Sequence, residues 1–544
     1  MDVKKMIDCM KSSGRDAALD ALESDTYDLV VIGGGITGAG ILREASLRGL
    51  SVALLEAEDF ASGTSSKSTK LIHGGLRYLA MGHIHVVREA ALERKRVHQL
   101  APHLAEPKWL MVPAAGYLEY LKYQVGVSVY EHLGQVAGDD KHFNLTHAEL
   151  KAFEPTLDTK AFPRACVYRE YLTDDARLVM GNIRAGISAG GIALNKLSVT
   201  GLLKQGQQVK GVQARCALTG RELNIKARGV INAAGPWVEQ VCSMDGVAMP
   251  KSMVLSKGVH LVIPWEKLPI QHMIFTVTRD QRPVFAIPRG DVVYIGTTDS
   301  VYPDGAKIWP EVLPEEVLYL FEPIARYFGV RLTQADCLTT WAGLRPLIAE
   351  QGKSSKEISR KDEVWVSASG LITIAGGKLT GYRKMAEETV DAASRLIDVA
   401  IPDQYDDTPL PGGDFSGTIE NQALLLTQNA PMVDSKAERL VRLYGTEAVQ
   451  VVALGPEPLK ADGSVLCGEV VWALRHEAAQ NLEDILYRRT RAALYLPAEA
   501  VAIIEPIADM MAAELGWSET QKVQEIARAK VLLDADLTAV IEAA

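Results

Sequence analysis

The stretch that decides the fold is Tyr27 to Glu56, YDLVVIGGGITGAGILREASLRGLSVALLE. Leu29 to Ile32 is an unbroken apolar run, which predicts a strand buried on both faces, as in a parallel sheet. The chain then turns at Gly33-Gly34-Gly35 and a helix is expected to about Arg48. A second strand over Ser51 to Leu55 ends on Glu56. Gly33, Gly35 and Gly38 fit G-x-G-x-x-G. In that spacing one glycine makes a tight turn, one admits a pyrophosphate against bare backbone, and one lets helix pack on strand. The amides and dipole of the helix N-terminus favour the anion. Glu56, 23 residues after Gly33, stands where a carboxylate accepts from a ribose hydroxyl. Strand, helix, strand and acid in this order predict a dinucleotide-binding α/β fold rather than a plain glycine turn.

A chain of 544 residues exceeds what one compact core organises, so roughly two or three domains are expected. Lys+Arg 58 against Asp+Glu 68 leaves a net charge of −10, which argues against nucleic acid as the main partner. Cys9, Cys166, Cys216, Cys242, Cys337 and Cys467 are scattered without a C-x-x-C pair. That pattern suits buried thiols in a reducing compartment better than disulfides, zinc or another metal. No apolar run reaches the ~18–20 residues of a spanning helix, so a soluble or peripheral protein is expected. The first 25 residues read as a short helical extension, with Lys4, Lys5, Lys11 and Arg15 among six acids. This is too acidic for a transit peptide, and it lacks the apolar core of a signal peptide.

After Glu56 the chain runs FASGTSSKSTKLIHGG, rich in hydroxyls and small residues. Such a loop suits wrapping a cofactor, and equally a surface loop. Arg77-Tyr78 opens an amphipathic helix bearing Arg94, Lys95, Arg96 and His98, read as a solvated face or as contact with an anionic membrane.

The fingerprint, Thr64-Ser65-Ser66 and KLIHGGLRYL (Lys70 to Leu79) together resemble the FAD-dependent glycerol-3-phosphate dehydrogenases. TDDARLV (Thr173 to Val179), NAAGPWV (Asn232 to Val238), KGVH (Lys257 to His260), IGTTD (Ile295 to Asp299), GLRPL (Gly343 to Leu347) and GGKLTGYRKMAE (Gly376 to Glu387) extend the likeness. It spans roughly residues 26 to 400, in the family's order. The resemblance implies an FAD-binding dinucleotide fold of the glutathione-reductase and D-amino-acid-oxidase kind. It carries an inserted β-rich substrate domain and an α-helical C-terminal domain. On this reading residues 1–25 are an extension, 26–405 the oxidoreductase region and 406–544 the helical domain. Within the middle part, about 26–100, 165–245 and 345–405 bind FAD, and about 101–164 and 246–344 form the substrate cap.

The residues of those motifs agree with that architecture. Ala185 to Val230 contains short alternating strands, the last returning to the central sheet before Ala233-Ala234-Gly235-Pro236. HLVIP, VFAIP and VVYIGTTD alternate as strands and loops between about 245 and 345, leaving Thr297, Thr298 and Asp299 at a strand end. Leu371 to Ala375, then Gly376-Gly377, then a helix from about Lys378, would aim a helix N-terminus at an isoalloxazine and stabilise negative charge there.

By resemblance, the expected cofactor contacts are Gly33, Gly35, Gly38, Glu56, Thr64, Ser65, Ser66, Lys70, Leu71, His73, Gly235, Gly376, Gly377, Leu379 and Thr380. A phosphate substrate needs cations, and the arginine fork matches its oxygens. Arg77, Tyr78, Arg345, Arg360 and Lys378 are the substrate candidates. The implied reaction moves the C2 hydrogen of sn-glycerol 3-phosphate to FAD as hydride while the C2 hydroxyl loses its proton, giving dihydroxyacetone phosphate. His260 and His73 are the candidate bases, with His260 favoured, and Arg345 would stabilise developing alkoxide charge.

The resemblance further implies a membrane quinone as acceptor and peripheral contact with membrane lipid on the cytoplasmic side of the inner membrane, with homodimer assembly left open. Related oxidases that make peroxide often carry an insertion absent here. An amino-acid-oxidase-like enzyme would instead use a carboxylate-binding arginine. A non-catalytic binding module would have a degraded fingerprint, and this one is intact.

Beyond a linker at Pro411-Gly412-Gly413 and Ser416-Gly417, segments 434–455, 468–490, 497–516 and 518–542 read as amphipathic helices. Pro497 suits a first turn, and Ser518 with Gln521 a capping box. RRTR (Arg488 to Arg491) is read as interdomain packing or solvated charge.

Overall fold

The computed structural model describes residues 8–11, 14–74, 84–247, 249–349, 362–402 and 407–541. Its first layer is an eight-stranded sheet built on Thr26–Ile32. That strand pairs in parallel with Val52–Leu55 on one side and Glu222–Asn232 on the other. Ile192–Leu194 and Leu371–Ala375 extend the parallel set outward. Glu363–Val366 closes one edge antiparallel, and a ribbon of Leu197–Gln205 and Gln208–Cys216 rises from Glu222–Asn232. Leu29, Val30 and Val31 are fully buried, as an apolar run covered on both faces should be. Helices Ile36–Leu47, Asp175–Ser188 and Tyr382–Ile397 pack on this sheet.

The second layer is a ten-stranded sheet. Its long members are Glu106–Ala114, Arg164–Leu172, Met253–Pro264 and Thr339–Ile348. The segment that leaves Glu56 crosses from the first sheet into the second, where Leu71–Ile72 pairs with Arg164–Leu172. The two sheets therefore share the chain on either side of one cleft.

Helices from Ile419–Asn429 to Glu519–Ile541 form the C-terminal part. Leu486, Leu494, Ile504 and Met511 of these helices share one apolar core with Tyr294 and Trp341 of the second sheet. This part is thus packed into the body rather than tethered to it. The capping box forms, with Gln521 N–H donating to Ser518 Oγ at 3.3 Å and Ser518 N–H to Gln521 Oε1 at 2.8 Å.

Several expectations are corrected. Pro314–Phe328 is a helix inside the stretch expected to be strands and loops. Its Val317, Leu320, Phe321, Ile324 and Phe328 are buried at helical spacing. The strands expected from Ala185 begin only at Ile192, because Asp175–Ser188 is a helix capped by Asp174, whose side chain accepts from Arg177 N–H at 3.1 Å. The helix after Gly376-Gly377 begins at Tyr382, later than Lys378, through a short turn at Leu379–Gly381. The Arg94 cluster is not a uniformly solvated face. Arg94 points inward, donating to Glu170 Oε2 at 3.0 Å and to Tyr130 Oη at 2.6 Å. RRTR is not solvated either, because Arg488, Arg489 and Arg491 are buried.

Candidate active site

A cavity of about 1210 Å³ opens at the C-terminal ends of the parallel strands, between the two sheets. At its base, Gly33 has φ +108°, and a Cβ there would sit 2.7 Å from the Ala233 carbonyl. A Cβ at Gly38 would sit 1.9 Å from the Gly33 carbonyl oxygen, so helix Ile36–Leu47 lies directly against the turn. Both positions need glycine, one for conformation and closeness, the other for closeness alone. Glu56 accepts from Gly34 N–H at 2.6 Å and from Glu58 N–H at 2.8 Å, which fixes its carboxylate at the cavity wall. Burial raises its pKa. Ser65 Oγ accepts from Ile36 N–H at 2.9 Å and ties the hydroxyl-rich loop to the first residue of the helix.

Thr64, Ser65, Leu71 and His73 also line the cavity, as do Gly33, Gly35, Gly235, Gly376, Gly377, Leu379 and Thr380. The His73 backbone is bracketed by Thr380, whose hydroxyl accepts from His73 N–H at 3.1 Å and donates to its carbonyl at 3.0 Å. Ser66 and Lys70 stand behind the wall. The Lys70 ammonium donates to the Ser66 carbonyl at 2.8 Å and to both Asp175 oxygens at 3.1 Å. That locked, fully buried ammonium braces the loop from behind.

Arg345 and Lys378 also line the cavity. Strand Thr339–Ile348 pairs with Met253–Pro264, placing Arg345 opposite Ser256. The guanidinium donates to Thr297 Oγ1 at 3.1 Å and to the Thr298 carbonyl at 3.3 Å, and lies 3.6 Å from Asp299. Its direction is therefore set before any ligand arrives. Arg77, Tyr78 and Arg360 lie outside the described residues.

The favoured base, His260, lies behind the cavity surface. It is 1% exposed and does not line the cavity. Its ring stacks on Trp341 at 4.8 Å, and its Nε2 meets Thr69 Oγ1 at 3.0 Å. Burial, with Lys70 and Arg345 nearby, holds the imidazole well below its usual pKa and therefore neutral. His260 meets the cavity-lining Thr69 from behind, whereas His73 lines the cavity directly.

Two cations at the wall escaped the sequence reading. Arg282 lines the cavity and hydrogen-bonds the Asp299 carbonyl beside Arg345. Lys67 lies with its ammonium 4.1 Å over Trp309, and burial draws its pKa down to about 7. The signal for Arg282 was weak, one arginine in a turn that no spacing singles out.

A glycine cradle at a helix N-terminus, a half-buried acid at the end of the second strand and a large cleft at the strand ends mark a dinucleotide-binding α/β protein. Known proteins sharpen this. Residues 28–383 match the family of FAD-dependent oxidoreductases, and residues 404–522 match the C-terminal domain of alpha-glycerophosphate oxidase. An aerobic glycerol-3-phosphate dehydrogenase of Staphylococcus aureus is 38% identical over 518 residues, covering 92% of this chain and 93% of the relative. The glycerol-3-phosphate dehydrogenase of Bacillus halodurans, solved with FAD, superposes with a TM-score of 0.81 at 32% identity over 97% of this chain and 98% of that one. L-alpha-glycerophosphate oxidase of Mycoplasma pneumoniae, 17% identical over 71% of this chain and 98% of its own, shares the fold with a TM-score of 0.55. The chain belongs to the aerobic glycerol-3-phosphate dehydrogenase family of FAD-dependent oxidoreductases.

Proposed function

We propose that this protein oxidises sn-glycerol 3-phosphate to dihydroxyacetone phosphate, and that it works at the face of a membrane. The observation that carries the reading is one cavity lined both by a dinucleotide cradle and by the oriented guanidiniums of Arg345 and Arg282. FAD, when bound, would supply the hydride acceptor and the reducing equivalents for a membrane quinone.

Gly33, Gly35 and the N-terminus of helix Ile36–Leu47 would hold the pyrophosphate, Glu56 the ribose, and the 376–380 turn with His73 the ring system. Arg345, fixed by Thr297 and Thr298, takes the substrate phosphate with Lys378 and Arg282, joined by Arg77, Tyr78 and Arg360 as the family motif implies. A guanidinium already oriented loses little freedom on binding and positions C2 for transfer. His73, at the cavity surface, takes the C2 hydroxyl proton. His260 steadies Thr69 behind it.

Helix Tyr117–Leu133 supports the acceptor and membrane reading. Its Tyr123, Val125 and Val129 line the mouth of the cavity, while Leu118 is 83% and Val125 61% exposed. Apolar side chains at the rim of a redox cavity suit a lipid-borne quinone and a lipid surface. Among the described residues no helix is long and apolar enough to cross a membrane.

The acceptor is tested with the reduced holoprotein on lipid vesicles, offered a quinone or dissolved oxygen. Turnover with quinone and little peroxide is expected. Stoichiometric peroxide, with quinone giving no advantage, would replace the dehydrogenase by an oxidase.

A further inference from the structure

The RRTR stretch of the C-terminal helical part lies against the cofactor-binding loop, and its arginines do specific work there. Arg489 donates from NH1 and NH2 to the two oxygens of Asp59, each at 2.8 Å, and Arg488 donates to the same carboxylate. Asp59 is three residues past Glu56, at the start of the loop that carries Thr64 and Ser65. Arg491 donates from NH2 to Asp175 Oδ1 at 2.8 Å and to the Ser66 carbonyl at 3.2 Å. Asp175 in turn accepts from Ser68 N–H at 3.0 Å and from its hydroxyl at 2.7 Å. The loop is thus held at Asp59, Ser66 and Ser68 from outside the cavity, while Ser65 holds the helix N-terminus from inside.

The local backbone is shaped for this grip. Asp484–Arg489 is a π-helical turn, which sends Arg488 and Arg489 to the same carboxylate. Arg491 has φ +62°, a left-handed conformation that costs a non-glycine residue energy and is kept where surrounding contacts fix it. Buried ion pairs add little net stability compared with apolar packing, so stability alone is a poor account of three buried arginines.

We infer that Arg489 and Arg491 are positioning residues for FAD: the C-terminal helical part holds the 57–70 loop in the shape that binds the cofactor. The inference rests on FAD as the cofactor.

The test uses the full chain, stripped of FAD and titrated back, with flavin fluorescence giving Kd and the bound flavin giving its visible spectrum and midpoint potential. Asp59→Asn, Arg489→Met and Arg491→Met should each raise the FAD Kd by about tenfold or more, and the Asp59→Asn/Arg489→Met pair should be strongly non-additive. The control is Arg184→Met. Arg184 pairs with Glu447 at 2.6 and 2.8 Å and joins the same two parts of the chain away from the loop. It should lower the melting temperature of the apoprotein and leave the FAD Kd within about twofold of wild type. Should a methionine variant fail to fold, Arg491→Lys keeps the charge and loses the fork, and a shifted flavin spectrum and potential are expected from it. Unchanged Kd, spectrum and potential in folded loop-side variants, or equal effects from Arg184→Met, would overturn the inference. A wild-type chain that bound no FAD would instead overturn the cofactor, and this inference with it.

Discussion

Replacing Gly38 by alanine tests the cradle at its tightest point. The added Cβ would lie 1.9 Å from the Gly33 carbonyl oxygen, where real contacts do not fall under 3.0 Å. Helix and turn must therefore separate by roughly 1 Å, and the obstacle is backbone in a strained turn, with no side chain free to swing away. Overpacking of this kind costs about 1–3 kcal/mol, and here the strain falls on the surfaces that take the pyrophosphate. The bound state, which needs the turn and helix N-terminus in register, absorbs most of it. FAD Kd should rise by about ten- to a hundredfold. The assay is titration of the apoprotein with FAD, beside Gly116→Ala, where a Cβ meets nothing within 4 Å. A folded Gly38→Ala protein that binds FAD as tightly as wild type, with an unchanged flavin spectrum, would refute the reasoning.

Three further outcomes follow from the site and the core. Arg345→Ala should lower kcat/KM for glycerol 3-phosphate by about a hundredfold, two charged hydrogen bonds being worth about 3 kcal/mol together, and Arg345→Lys should recover only part of that. His73→Gln should reduce kcat by about a hundredfold or more and flatten the acid limb of the pH profile, while His260→Gln should have a smaller effect, read from steady-state rates across pH. His103 is buried, and burial, with Arg177 nearby, draws its pKa down to about 3. Between pH 6.5 and about 3 the unfolded chain binds a proton there that the folded chain refuses, so acid favours unfolding. Going from pH 7 to 5 should cost about 2 kcal/mol at this residue, and His103→Gln should show a smaller fall in melting temperature over that range.

The parallel core was legible because the 27–56 stretch carries its own punctuation: apolar run, glycine turn, amphipathic helix, terminal acid. Pro314–Phe328 was missed because Pro323 sits inside it, and proline argues locally against a helix. Its Pro314 at the first turn and Gly329 at φ +68° after the end were the signals that define it. The grip on Asp59 was not legible, because residues 429 and 430 positions away in sequence meet there and no local pattern records a long-range ion pair. His260 shows the limit of motif reasoning. It stands in a site motif and on the same strand face as the cavity-lining Gly258, yet it lies further along the strand, stacked on Trp341 and covered by Thr69. Arg282 shows the converse, a cavity cation in an unremarked turn.

The most direct measurement is anaerobic stopped-flow of the FAD-loaded protein, following flavin absorbance after mixing with glycerol 3-phosphate, glycerol or D-alanine. Rapid bleaching by glycerol 3-phosphate alone is predicted, because Arg345 and its neighbours require the phosphate to place C2. Bleaching by D-alanine, or by glycerol as readily as by its phosphate, would contradict the account.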